Sequence, residues 1–156
     1  MGMDVYGNKP KNEQGEYFRA NVWYWRPLWS FVEDIHPAIA AKVPEAHYNS
    51  GDGLNAKDSL ALANLIKKDL ETGVVENYIQ HFKEEIEKIP LDDCKYCDQK
   101  GYRSFTDSSG NESMKPCNAC HGTLKVKSVL TWYQMDIEVF KDFQIFLQNC
   151  GGFRIC

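Results

Sequence analysis

Four cysteines in two Cys-x-x-Cys pairs, Cys94/Cys97 and Cys117/Cys120 with nineteen residues between the pairs, constrain this chain more than any other feature. Each pair puts two thiolates on one tight turn, and the segment between them is long enough to fold back as a hairpin. The four sulfurs can then converge on one point, the tetrahedral cage that Zn²⁺ prefers. A redox Cys-x-x-Cys, by contrast, is usually single and sits beside a thioredoxin-like βαβ pattern, which the sequence lacks. The spacing therefore predicts one structural Zn²⁺ on Cys94, Cys97, Cys117 and Cys120. Four sulfurs leave the ion no open position at which to activate water. Gly101 and Gly122 follow the pairs, where the chain must turn around the ion. His121, next to Cys120, could replace one thiolate but is expected to point outward.

Compartment and partner class follow from the bulk chemistry. Six cysteines without a secretory pattern predict a reducing compartment, the cytoplasm, where paired cysteines bind metal rather than form disulfides. The formal charge of −4 disfavours generic binding to a phosphate backbone. From Cys94 to Lys127 there are six basic and three acidic side chains. Four thiolates and one Zn²⁺ would reduce that segment to about +1, too little to favour nucleic acid over a protein partner. No apolar run approaches the roughly 18 residues of a membrane span. A chain of 156 residues, 43% hydrophobic, is expected to form one compact domain over 1–156.

Hydrophobic patterning predicts an α+β fold. Met3–Tyr6 reads as a short strand, and residues 17–25, rich in aromatic and β-favouring side chains, read as another with Phe18, Val22 and Trp23 buried. Pro27 suits the first turn of a helix to about Ile35, with Leu28, Phe31, Val32 and Ile35 on one face. Pro37 and Pro44 bracket at most a turn or two more. Asn55 is a candidate N-cap for a helix carrying Ala56, Leu60, Ala63, Ile66 and Leu70. Gly73 separates it from a second helix with Val75, Tyr78, Ile79, Phe82, Ile86 and Ile89, giving an antiparallel helical hairpin. Tyr102–Thr106 reads as a strand before a turn at 107–111, and 123–132 as a strand leaving the metal knuckle. Ile137, Phe140, Phe143 and Leu147 mark a last helix, and 153–156 a closing strand. The expected architecture is a small antiparallel sheet packed by three or four helices, with a zinc-knuckle β-hairpin inserted over 91–127.

Two stretches are candidates for binding. Trp23, Trp25, Arg26 and Trp29 place three indoles and a guanidinium within seven residues. On a strand, Trp23 and Trp25 would share one side, where planar rings could stack on a base or a partner. The competing use of such side chains is the core itself. The loop 47–55 offers His47, Asn49, Asp52 and Asn55 with two glycines before a helix N-terminus, where backbone N–H groups can hold an anion. Turn and capping chemistry is the competing use there. No catalytic set is evident: His36, His47, His81 and His121 are scattered, with no serine elbow or carboxylate pair. Cys150 and Cys156 could be free thiols, a late disulfide or spare ligands, with buried thiols near a helix end the favoured reading.

Cys117-Asn118-Ala119-Cys120-His121-Gly122 resembles one Cys-x-x-Cys-x-Gly unit of the cysteine-rich zinc module of DnaJ-type co-chaperones. The first pair departs from that pattern, its Gly101 falling two places late. This resemblance implies zinc and a knuckle-hairpin shape, not chaperone activity. Met3-Asp4-Val5-Tyr6-Gly7, Gly15–Arg19, Trp23–Trp29, His47–Gly53 and Cys150–Cys156 together resemble a group of small phage and prophage accessory proteins. That resemblance implies work in the bacterial host cytoplasm, including blocking of host defence proteins, and no particular chemistry. The resulting expectation is a non-enzymatic, zinc-stabilised binding protein acting on a host protein. The alternative is a small-ligand protein that sequesters a nucleotide with the Trp/Arg cluster and the glycine-rich loop.

Overall fold

The computed structural model describes residues 2–156 and is α+β. The chain divides into two compact units, Ile86–Trp132 and the remainder, Met1–Glu85 with Tyr133–Cys156.

The larger unit is built on a three-stranded antiparallel sheet in the order β2–β1–β7, from β1 (Gly2–Gly7), β2 (Tyr17–Asn21) and β7 (Phe153–Ile155). Val5 lies opposite both Phe18 and Ile155, and Met3 opposite Ala20, so one face of the sheet is wholly apolar. The period of two puts Asp4, Tyr6, Tyr17, Arg19 and Arg154 on the other face. There the Tyr17 hydroxyl donates to Asp4, and the Arg154 guanidinium lies 5.6 Å from the Tyr6 ring centre. The outer edge of β7 is covered by the loop over 51–54. Gly51 N–H donates to Ile155 O, and Phe153 and Ile155 N–H donate to Leu54 and Asp52 O, all within 2.7–2.8 Å. A Cβ at Gly53 would sit 1.9 Å from the Phe153 carbonyl oxygen, so this close pass requires glycine.

One core cluster joins the apolar face to α1 (Val22–Ile35), the single turn α2 (Pro37–Ala40), α3 (Ala56–Glu71), α4 (Val74–Glu87) and α5 (Ile137–Asn149), with α1 and α5 lying directly on the strands. The core is aromatic. Trp25 and Trp29 stack at 5.7 Å between ring centres, and Phe18, Phe143, Phe146 and Phe153 close around them. Trp25 Nε1–H donates to Ala46 O at 2.7 Å, satisfying the one polar atom of its ring. His36, at the joint between α1 and α2, meets Asp69 of α3 at 2.5 Å with both side chains nearly buried.

The chain leaves β2 four residues earlier than its composition predicts. Asn21 Oδ1 accepts from Trp23 N–H at 2.9 Å and Tyr24 N–H at 3.2 Å, so the helix starts at Val22 and residues 22–25 are not strand. Val22 and Trp23 are consequently only half-buried. Pro27 sits inside α1, not in its first turn, and has no N–H for the Trp23 carbonyl. Gln134 N–H supplies the missing donor at 3.0 Å. This replacement bond ties the segment before α5 to the first turn of α1.

Side-chain faces shift in two helices. Ile35 is exposed, and in α3 the inward residues are Ser59, Leu62, Ala63, Ile66 and Asp69, with Ala56 and Leu60 outside. The smaller unit contains β3 (Asp92–Asp93), β4 (Tyr102–Thr106), β5 (Glu112–Pro116) and β6 (Lys125–Val126). β4 pairs with β5 and β3 with β6. The strand expected over 123–132 is therefore two residues long; Val129–Trp132 is a 3₁₀ turn.

Candidate functional site

Two sites emerge, one in each unit. In the smaller unit the sulfurs of Cys94, Cys97, Cys117 and Cys120 all lie within 4.8 Å of one another, and all four residues are buried. Cys94 to Cys117 and Cys97 to Cys120 are each 3.8 Å. A disulfide requires about 2.05 Å, so the thiols are not cross-linked. A tetrahedron with metal–sulfur bonds of about 2.3 Å has sulfur–sulfur edges of about 3.8 Å. The cage has the size of a metal site.

The two knuckles are built alike and brace each other. Cys94 N–H donates to Leu124 O and Cys117 N–H donates to Gly101 O, both at 2.8 Å, so each knuckle's first cysteine is tied to the chain leaving the other. β3 and β6, then β4 and β5, extend that exchange outward. After the first pair the chain passes through left-handed conformations at Asp98, Gln99 and Gly101; after the second it does so at His121, Gly122 and Leu124. His121 is exposed and is not among the clustered ligands. Backbone N–H groups of Cys120 and Ala119 aim at the Cys117 sulfur and lower its pKa to about 7, favouring the thiolate a metal needs. Burial pushes Cys94 up to about 12; a cation at the centre reverses that penalty.

In the larger unit the candidate binding residues separate. Trp25 and Trp29 are fully buried and cannot offer a stacking face. Trp23 is half-buried, edge-on to Tyr133 at 5.0 Å. Asn49 reaches the Gly2 carbonyl at 3.4 Å. Asp52 accepts from Glu45 and Gly53 N–H, at 3.0 and 2.8 Å, and Asn55 caps α3 through Asp58 N–H. Gly51 N–H is given to β7 as well, so these groups serve the loop's own fold as a structural corner.

Arg26 and His47, however, do meet. They line a cleft of about 450 Å³ together with Ser30, Tyr48, Tyr78, Phe82 and Tyr133. Arg26 Nη1 donates to the Tyr133 hydroxyl at 3.0 Å, a contact set up by the Gln134–Trp23 bond next door. His47 Nε2 lies 3.1 Å from Glu33, while its Nδ1 is buried without a partner. The Tyr78 hydroxyl donates to Asp34; burial first and Asp34 second raise its pKa, so it stays neutral.

Comparison with known protein families, curated proteins and solved structures finds no match for the chain.

The chemistry of each site must therefore be read from its own atoms. The four-sulfur cage is closed by protein on every vertex and suits a structural ion. Tyr48, Tyr78 and Tyr133 escaped the sequence reading, because the cleft joins α1, the 45–55 loop, α4 and the segment before α5. Arg26 and Ser30, four apart on one face of α1 and roughly 100° around the helix from Trp25 and Trp29, were the available signal. Cys150 is buried beside α5, whereas Cys156 is exposed, contrary to the expected pair of buried thiols.

Proposed function

We propose that the chain is a non-enzymatic binding protein in which one structural Zn²⁺ folds the smaller unit, and that this unit docks on a protein partner. One observation carries the reading. Within Ile86–Trp132, among the described residues, the four cysteines are the only buried apolar side chains, while Leu91, Tyr96, Phe105, Met114, Val129 and Leu130 stand about half exposed or more. A unit without a core of its own needs the ion to hold it, and then has its apolar side chains free for a partner. A groove of about 600 Å³, with Tyr96, Val126, Val129 and Trp132 among its walls, gathers several of them, and Lys95 and Asp93 supply a polar rim. Zinc is favoured over other ions by the all-thiolate tetrahedron in a redox-silent role.

The setting proposed is the bacterial host cytoplasm, with the protein acting as a phage accessory that occupies a host protein, host defence proteins being among the targets. Support for that setting is the resemblance of the chain's opening, tryptophan run, central loop and end to small phage proteins. The test has two parts. Elemental analysis of the purified protein is expected to give one zinc per chain. Capture from bacterial lysate is expected to recover a discrete partner with the native chain and lose it with Val129→Asp, which leaves the cysteines in place. Metal-free protein, or capture indifferent to Val129→Asp, would defeat the reading.

A further inference from the structure

The cleft on the larger unit has no part in the metal-held docking surface, and its composition is that of a ligand site. We propose that it binds a small aromatic anion, a planar ring lodged among Tyr48, Tyr78, Phe82 and Tyr133 with its negative group on Arg26. Its volume of about 450 Å³ falls within the usual range of ligand clefts, roughly 300–1,000 Å³.

Charge decides the sign of the ligand. Arg26 meets no carboxylate among the described residues; its one side-chain bond is to the neutral Tyr133 hydroxyl. That bond fixes the guanidinium plane and leaves the rest of its five N–H donors for an oxyanion. Among the described residues no carboxylate lines the cleft; the two behind its walls are bonded to lining side chains, Glu33 to His47 and Asp34 to the Tyr78 hydroxyl, which leaves Arg26 as the wall's charged group without a carboxylate partner. An aromatic cage for a cation would need one of them open to the cleft. The walls decide the rest. Tyr78 is held by Asp34 and Tyr133 by Arg26, so two rings are presented rigidly, at little further ordering cost when a flat ligand arrives. Tyr48 is 65% exposed at the rim, an aromatic surface that a ligand would cover. The buried, unpartnered Nδ1 of His47 adds a polar group in the same wall whose bonding is incomplete.

The anionic group can be a phosphate, as in a mononucleotide, or a carboxylate, as in an aromatic acid. Both present two or more oxygens to a guanidinium. Calorimetric titration of the zinc-loaded full chain separates them. The probes are AMP, GMP, CMP and UMP; adenosine and guanosine; benzoate and indole-3-acetate; and the cation tryptamine.

Saturable binding of at least one anionic aromatic probe is expected, with nucleosides and tryptamine weaker. The arm that binds, phosphate or carboxylate, names the source. Arg26→Gln, at an exposed position, is expected to raise Kd at least about tenfold, the loss of a charge-assisted contact. Tyr48→Ala should weaken binding without altering the melting temperature of the free protein. No heat from any anionic probe at millimolar concentration would overturn the proposal. So would preferential binding of tryptamine, or equal affinity in the native and Arg26→Gln proteins.

Discussion

The two units of this protein are folded by different chemistry. In the larger one, Trp25, Trp29, Phe18, Phe143, Phe146 and Phe153 fill a space from which water is excluded, and the sheet and helices are arranged to cover it. In the smaller one the same role falls to four sulfur atoms within 4.8 Å of one another. The contrast teaches what each unit can do with its other residues. A unit that depends on apolar burial has to put its large side chains inside. A unit gathered on four clustered cysteines that could hold an ion has no such obligation, and here both strands of the β4–β5 ribbon are exposed along their whole length. Even the hydrophobic residues of the ribbon make surface contacts, as where the Lys115 ammonium lies 4.1 Å from the Phe105 ring centre.

The harshest trial of that contrast is to remove a sulfur. Cys117→Ser takes away the thiolate that backbone N–H groups hold most favourably, and three sulfurs do not complete the tetrahedron. Metal content is expected to fall from one equivalent to near zero, and protease cleavage to concentrate within 86–132. Helical circular dichroism should be largely retained, because the helices are buried against the aromatic core. If the whole chain unfolded together, the two units would not be energetically separate.

The converse trial empties the aromatic core. Trp25→Ala deletes a fully buried indole, its stack on Trp29 and its bond to the Ala46 carbonyl. Chemical denaturation should show a loss of about 3–5 kcal/mol in the larger unit. Zinc stoichiometry should stay at one, since no ligand to the ion lies in that unit. A variant that lost its metal as well would contradict the division.

Legibility in the sequence follows the same line. The four-cysteine cluster could be read directly, because Cys-x-x-Cys spacing encodes geometry within a few residues. α3, α4 and α5 were legible from their period, and the three-stranded sheet from alternation in Met3–Tyr6 and the closing Phe153–Ile155. The failure at 22–25 is instructive. Val-Trp-Tyr-Trp has high strand preference, yet one side chain, Asn21, satisfies two helix-start N–H groups and burial of Trp25 and Trp29 does the rest. Asn21→Ala is accordingly expected to cost about 1 kcal/mol in denaturant melts of the larger unit, well below the Trp25 effect. The cleft was half legible. Arg26 and His47 stood out by type, but Tyr78 and Tyr133 reach them only through long-range packing and the Gln134–Trp23 bond that Pro27 makes necessary.

The smallest expected effect on stability is the sharpest for function. Val129 is 49% exposed in a 3₁₀ turn of the smaller unit and lines its groove without belonging to any buried cluster. In a unit held by apolar packing, Val→Asp at a groove would be felt throughout the fold. Here Val129→Asp should change the unfolding free energy by no more than about 0.5 kcal/mol, the usual range for an exposed position, and leave the zinc in place. Its effect belongs to association, where an added charge in the middle of an apolar contact has no water to solvate it. Measured stability and partner capture on one variant therefore separate the two roles: capture lost at unchanged stability assigns the exposed apolar groove to binding. A large drop in stability would mean that the ion does not hold this unit alone, and that its outward-facing hydrophobic residues belong to the fold.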